Sequence, residues 1–247
     1  MNASIILSEL QSIGTKERAA TLQRFFKTGK GQYGEGDVFI GVVVPQTRKV
    51  AKAHLQTPIA EIEKLLGSKY HEARLCALII LCERFKSSSE ERREEIFKFY
   101  LDHISSVNNW DLVDLSCPVV LGGYLIDKER DVLYKLAVGN NIWERRISIV
   151  STFAFIRNGD FDDTLKLSKI LLMYRHDIIR KAVGWTLREI GKYDVKTLSS
   201  FLEEHAATMP RTSLRYAIEH YPEPERQYWL KRKKSLSSHI FGERVSD

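Results

Sequence analysis

From Ile5 to Tyr221 the apolar residues recur at three- and four-residue spacing, and polar turns interrupt them at regular intervals. That period predicts helices throughout. Pro58 opens a helix through Leu66, with Gly67 as its stop; Tyr70–Phe85 reads as a long apolar helix. Ser87 to Ser89 cap a helix beginning at Glu90, and Asn108 and Asn109 cap the one bearing Trp110. Cys117 and Pro118 are expected to separate that helix from Val119–Ile126. Further helices are expected over Trp143–Arg157, Thr164–Tyr174, Ile178–Lys192, Lys196–Ala207 and Pro210–His220. Thr28–Asp37 holds four glycines and reads as a loop, followed by an extended connector, Val38–Pro45. The pattern also repeats. Arg74, Asp111, Arg146 and Lys181 occupy equivalent places in successive segments, at steps of 37, 35 and 35 residues. Helical units of that period cannot bury an apolar face alone and must stack. The expected fold is an all-α superhelix of HEAT- or armadillo-like repeats, about six helix pairs forming one domain over residues 1–228. Residues 229–247, with the run Lys231–Lys234, read as a basic, flexible tail.

The composition agrees with a globular chain: 43% hydrophobic and 28% charged over 247 residues. No apolar run reaches the length of a membrane span. Met1–Leu10 lacks the basic start of a secretion signal, and three cysteines without a CxxC pair suit buried thiols in a reducing cytoplasm. Cys76 and Cys82, six apart on one helix, project from roughly opposite faces, so no metal or other cofactor is expected. The net charge is +6, and its basic part is unevenly spread. Clusters at Arg48/Lys49, Arg145/Arg146, Arg180/Lys181, Arg188 and Arg211/Arg215 suggest a polyanion partner.

Trp110 and Asp114 stand four apart, which puts them on one helix face. An exposed Trp beside an Asp is costly unless something uses it. Otherwise Trp110 is core, with Asp114 satisfying its indole. Arg146, one repeat on, either serves a ligand or pairs with Asp114 across adjacent helices. Gly184, just before Trp185, costs about 1 kcal/mol in a helix interior. It admits either a ligand close to the backbone or a neighbouring helix.

The segments Asn109-Trp110-Asp111-Leu112-Val113-Asp114, Asn141-Ile142-Trp143-Glu144-Arg145-Arg146 and Val183-Gly184-Trp185-Thr186-Leu187-Arg188-Glu189 resemble the AlkD-like DNA alkylation repair proteins, glycosylases built from HEAT-like repeats. Phe39-Ile40-Gly41-Val42 with Pro45-Gln46-Thr47-Arg48 is similar to that family's early loop, and the resemblance runs from about Leu22 to Tyr221. It implies a catalytic set of Asp114 as carboxylate, Trp110 and Trp185 as aromatic walls, and Arg146 holding the DNA backbone. It also implies DNA contacts from Phe25, Arg48, Trp143, Arg145, Lys181, Arg188 and Arg211. One departure is Phe25, where the family often has a Tyr after the early Arg; a phosphate contact from that hydroxyl is lost.

The implied reaction is excision of cationic N3- or N7-alkylated purines from duplex DNA by a monomeric, monofunctional glycosylase. Such a base leaves neutral and needs no general acid, so one carboxylate suffices where other glycosidases need two. Two other readings remain at this stage: a HEAT-type DNA-binding protein without catalysis, and a scaffold for proteins in which these residues only pack.

Overall fold

The computed structural model describes residues 2–232. It is all-helical apart from one isolated bridge, between Val38 and Tyr70. The N-terminal part holds α1 (Ala3–Ile13), α2 (Lys16–Phe25), α3 (Val44–Ala53), α4 (Ile59–Leu66), α5 (His71–Lys86) and α6 (Glu90–Asp102). The middle holds α7 (Trp110–Cys117), α8 (Asp131–Val138), α9 (Ile142–Val150) and α10 (Phe153–Arg157). The last part holds α11 (Asp162–Leu171), α12 (Asp177–Tyr193), α13 (Val195–His205), α14 (Arg211–Ala217) and α15 (Glu223–Lys231).

Packing follows sequence order, as the repeat requires. A front row runs α3, α5, α7, α9, α12, α14, each helix packed on the next. A back row of α4, α6, α8, α11, α13 and α15 closes behind it: α4 lies on α5, α8 on α9, α11 and α13 on α12, and α15 on α14. The result is a superhelix of helical repeats. Arg74, Asp111, Arg146 and Lys181 all fall near the N-terminal ends of front-row helices α5, α7, α9 and α12. The sequence repeat is therefore the spacing of the front row. Helix α5 of the front row is packed by α1, α3, α4, α6 and α7, and every residue from His71 to Cys82 is buried. Cys76, Cys82 and Cys117 are buried free thiols, and burial pushes Cys76 and Cys82 up to about 12.

Three expectations are corrected. Pro118 does not end the helix that carries Trp110. A π-helical turn, Pro118–Gly122, continues α7, and the wider turn accommodates a residue that lacks an N–H. Trp143–Arg157 is not one helix. It breaks at Ser151–Thr152, whose hydroxyls bond back to the carbonyls of Ile147 and Ile149 at 2.7 Å. The two irregularities touch: a Cβ on Gly122 would stand 2.2 Å from the Ser151 carbonyl oxygen, so only glycine permits this approach. Finally, the folded chain does not end at residue 228. Trp229, 4% exposed, is buried in α15 against Tyr221 and Tyr228. Of the expected flexible tail, residues 233–247 lie outside the described residues. No described helix is long and apolar enough to cross a membrane.

Beyond the bridge at Val38, the connector before α3 is held by a carboxylate. The buried Glu72 carboxylate accepts the backbone N–H groups of Ile40, Gly41 and Val42 at 2.8, 2.8 and 3.1 Å. This fixes the loop from Thr28 to Asp37 on one side and α3 on the other.

Candidate active site on the front row

Helix α7 starts at an Asn109 cap whose side chain accepts the Trp110 N–H at 2.9 Å. Trp110 and Asp114 then project from one face, as their spacing predicts, and both border a hollow of about 450 Å³ between α3, α5 and α7. Leu75, Ile79, Leu115 and Val119 give that hollow apolar walls, and Arg48 stands at its rim. On its other side Trp110 borders a second hollow, about 720 Å³, with Phe25, Tyr33, Arg146, Lys181, Trp185 and Arg188. Trp110 thus partitions two adjoining spaces. A third hollow, about 640 Å³, lies on the back row around Arg84 and Phe99 and holds none of the expected site residues.

Asp114 is paired with Arg146 in bidentate geometry, Nε to Oδ1 at 2.9 Å and Nη2 to Oδ2 at 2.7 Å. Burial raises the Asp114 carboxyl, the guanidinium opposes this, and the neighbouring charge of Asp111 adds to the rise. The Asp114 side chain keeps 18% of its surface exposed, so a substrate can reach it. Arg146 is the more buried partner at 7%, and its Nη1 donates to the Ile178 carbonyl at 2.8 Å. Three of its N–H donors are therefore used inside the protein. Arg146 thus pairs with Asp114 and links α7 and α9 to α12, the ion pair that its spacing allowed, while it also lines the larger hollow.

An aromatic column backs Trp110. Phe26 stacks on Trp110 at 5.1 Å, Phe39 on Phe26 at 4.9 Å, and the His71 ring on Phe39 at 4.5 Å. Phe25, 62% exposed, meets Trp110 edge-on at 5.9 Å and forms part of the wall. At the far end, His71 is clamped by two carboxylates, Nδ1 to Asp37 at 3.1 Å and Nε2 to Asp111 at 2.8 Å. Burial works against the charged ring, but the hydrogen bonds to Asp111 and Asp37 outweigh it and raise His71 to about 9. Burial likewise works to raise Asp37, and contacts from His71, Arg74 and Asn109 bring it below the ordinary value.

The remaining expected residues divide. Trp185 lies against Phe153 at 4.4 Å and lines the larger hollow opposite Trp110. Trp143 is corrected from a DNA contact to a core residue, 7% exposed and packed by the edge of Tyr33. Arg145 lies over the Tyr174 ring at 4.0 Å. Lys181 pairs with Asp177 at 2.7 Å, and Arg188 pairs with Glu219, both at the larger hollow. Arg211, at the start of α14, lines neither hollow and is tied to the Leu230 carbonyl. Arg48 lines the smaller hollow with Asp114 and, among the described residues, makes no hydrogen bond. Gly184 faces a helix rather than a ligand: a Cβ there would meet Ser213 O at 2.6 Å and Tyr216 Cβ at 2.5 Å, across the α12–α14 contact.

Sequence reading missed Phe26, Tyr33, Asp37 and His71. A signal was present for two of them. Asp37, His71 and Asp111 follow one another at 34 and 40 residues, close to the repeat step, so stacked units bring them together.

The model of the DNA alkylation repair enzyme family matches residues 6–221. Among curated proteins none matches the chain in sequence. Among solved structures, a protein described as a predicted DNA alkylation repair enzyme from Enterococcus faecalis is similar in fold, with a TM-score of 0.67 at 18% identity. That match covers 85% of this chain and 97% of the other. With the family's model spanning almost the whole superhelix, the chain belongs to the DNA alkylation repair enzyme family, and its role lies in the repair of alkylated DNA.

Proposed function

We propose that the protein is a monofunctional DNA glycosylase that removes cationic N3- or N7-alkylated purines from duplex DNA. The observation that carries this reading is a reachable carboxylate, Asp114, held by Arg146 beside the indole wall of Trp110. In the reaction the bond between the sugar C1′ and the purine nitrogen breaks, and its electron pair leaves with the base. The departing base becomes neutral, so no proton need be supplied to it. The sugar develops positive charge, which the Asp114 carboxylate stabilises at short range in a poorly solvated site. Water adds to C1′ and gives up a proton, with Asp114 oriented to receive it. The faces of Trp110 and Trp185 attract a cationic base or sugar, each by about 0.5–2 kcal/mol. Arg48, and Lys27 at the larger hollow, are placed to meet phosphates, which gives binding that is indifferent to sequence and weakens with salt.

The test is release of 7-methylguanine or 3-methyladenine from alkylated duplex, measured for wild type and Asp114→Asn. The reading expects release by the wild type and a loss of at least about a hundredfold in the variant. One observation favours a second reading, binding without cleavage: both Asp114 oxygens already accept from Arg146. Under that reading wild type and Asp114→Asn bind DNA alike and neither releases base.

A further inference from the structure

The His71 cluster lies outside the groups used above, yet it joins the loop that lines the larger hollow to the helix that carries Trp110 and Asp114. Asp37 ends the loop that supplies Gly31, Gln32 and Tyr33 to that hollow, next to Lys27. Asp111 is in the first turn of α7, between Trp110 and Asp114. His71, on α5, bridges the two carboxylates. Carboxylate oxygens only accept hydrogen bonds, so a ring that meets one at each nitrogen carries both protons and a positive charge.

The rest of the cluster leaves no slack. Asp37 Oδ2 also accepts from the Asn109 amide at 2.9 Å, and Asp37 Oδ1 accepts from Arg74, whose Nη1 reaches the Ser68 carbonyl at 2.8 Å. Asp111 Oδ1 accepts the Leu112 N–H at 2.9 Å. Around His71, α5 contributes Arg74 and a Glu72 turned to the connector's amides, the loop contributes Asp37, and α7 contributes Asp111 with Asp114 one turn further. The connector and the residue that follows α2 contribute only the Phe39 and Phe26 rings. With His71 charged, the two aspartates balance His71 and Arg74. With it neutral, Asp111 is an unbalanced negative charge that acts on Asp114.

We propose that His71, bridging Asp37 and Asp111 as an imidazolium, is a positioning residue for the reaction at Asp114. It pins the α7 N-terminus, and so Trp110 and Asp114, against the loop from Thr28 to Asp37, and it screens Asp114 from Asp111. This rests on the glycosylase reading for its kinetic consequence and on the protein alone for its structural one.

The kinetic experiment measures single-turnover base release and duplex affinity for wild type, His71→Gln and the double variant His71→Gln/Asp111→Asn. A displaced reacting group can cost about a hundredfold in rate without touching binding. His71→Gln should therefore release base about 10–100 times more slowly while duplex affinity changes less than about threefold. The double variant, which restores charge balance but not the bridge, should regain part of that rate. The wild-type rate should fall as pH rises through about 9, a limb that His71→Gln lacks. A loss confined to affinity, or no recovery in the double variant, overturns the proposal. The second measurement is the nitrogen spectrum of the imidazole in wild-type protein at pH 7.5. Both ring nitrogens protonated is the expected result, and a neutral ring overturns the proposal even if His71→Gln does not fold. Absence of base release by wild type would count against the glycosylase reading and leave the spectrum to decide the clamp.

Discussion

Replacing Arg146 by Ala distinguishes an internal tether from a DNA ligand. The guanidinium makes two bonds to Asp114 and one to the Ile178 carbonyl, at 2.7–2.9 Å, with 7% of its side chain exposed. Removing one partner of a buried ion pair costs about 3–5 kcal/mol, because the other charge is left desolvated. Asp114 retains 18% exposure and can be partly rehydrated, which places the loss near the lower end, about 3 kcal/mol. For a chain of this length each kcal/mol lowers Tm by about 2–4 °C, so the variant should melt about 6–12 °C lower. The deficit also has a sign in pH. Without the guanidinium, burial raises the Asp114 carboxyl further, and a carboxyl raised in the folded state destabilises more as pH rises. The gap to wild type should be larger at pH 8 than at pH 5. The assay is thermal unfolding by circular dichroism at both pH values, paired with affinity for undamaged duplex at fixed salt. A Tm change below about 2 °C together with a large affinity loss would refute the tether.

Three further outcomes are expected. His71, raised from 6.5 to about 9, contributes at most about 3 kcal/mol of stability, present in full below pH 6.5 and lost as pH rises through 9. Urea midpoints from pH 6 to 10 should thus decline for wild type and stay level for His71→Gln. Trp229→Ala empties the site beneath α15 and should cost about 3 kcal/mol in urea unfolding; a loss under about 0.5 kcal/mol would return residues 229–232 to a tail. Gly184→Ala drives a methyl into the Ser213 carbonyl and should cost about 1–3 kcal/mol, and an unchanged Tm would show that α12 and α14 separate freely.

The superhelix was legible because Arg74, Asp111, Arg146 and Lys181 fall near the N-terminal ends of successive front-row helices, so one spacing describes the row. Trp110 and Asp114 were legible as a pair because helix geometry alone puts them on one face. What the neighbours do with a side chain was harder to read. Arg146 could face a phosphate or Asp114 by spacing, and only the approach of α9 to α7 selects the latter. Trp143 is buried by Tyr33, a loop residue 110 positions earlier, and no local pattern announces that contact. Pro118 reads as a break because it lacks an N–H, but a helix can widen instead of ending. A lysine-rich run masked the buried indole of Trp229.

Trp110 is a shared wall, and a shared wall couples the rooms on either side of it. Cutting the indole back would merge the two, so one substitution at this position reshapes both chambers at once. Size limits on what the front row can accept are accordingly a joint property of both chambers, set by the freedom of one ring backed by Phe26.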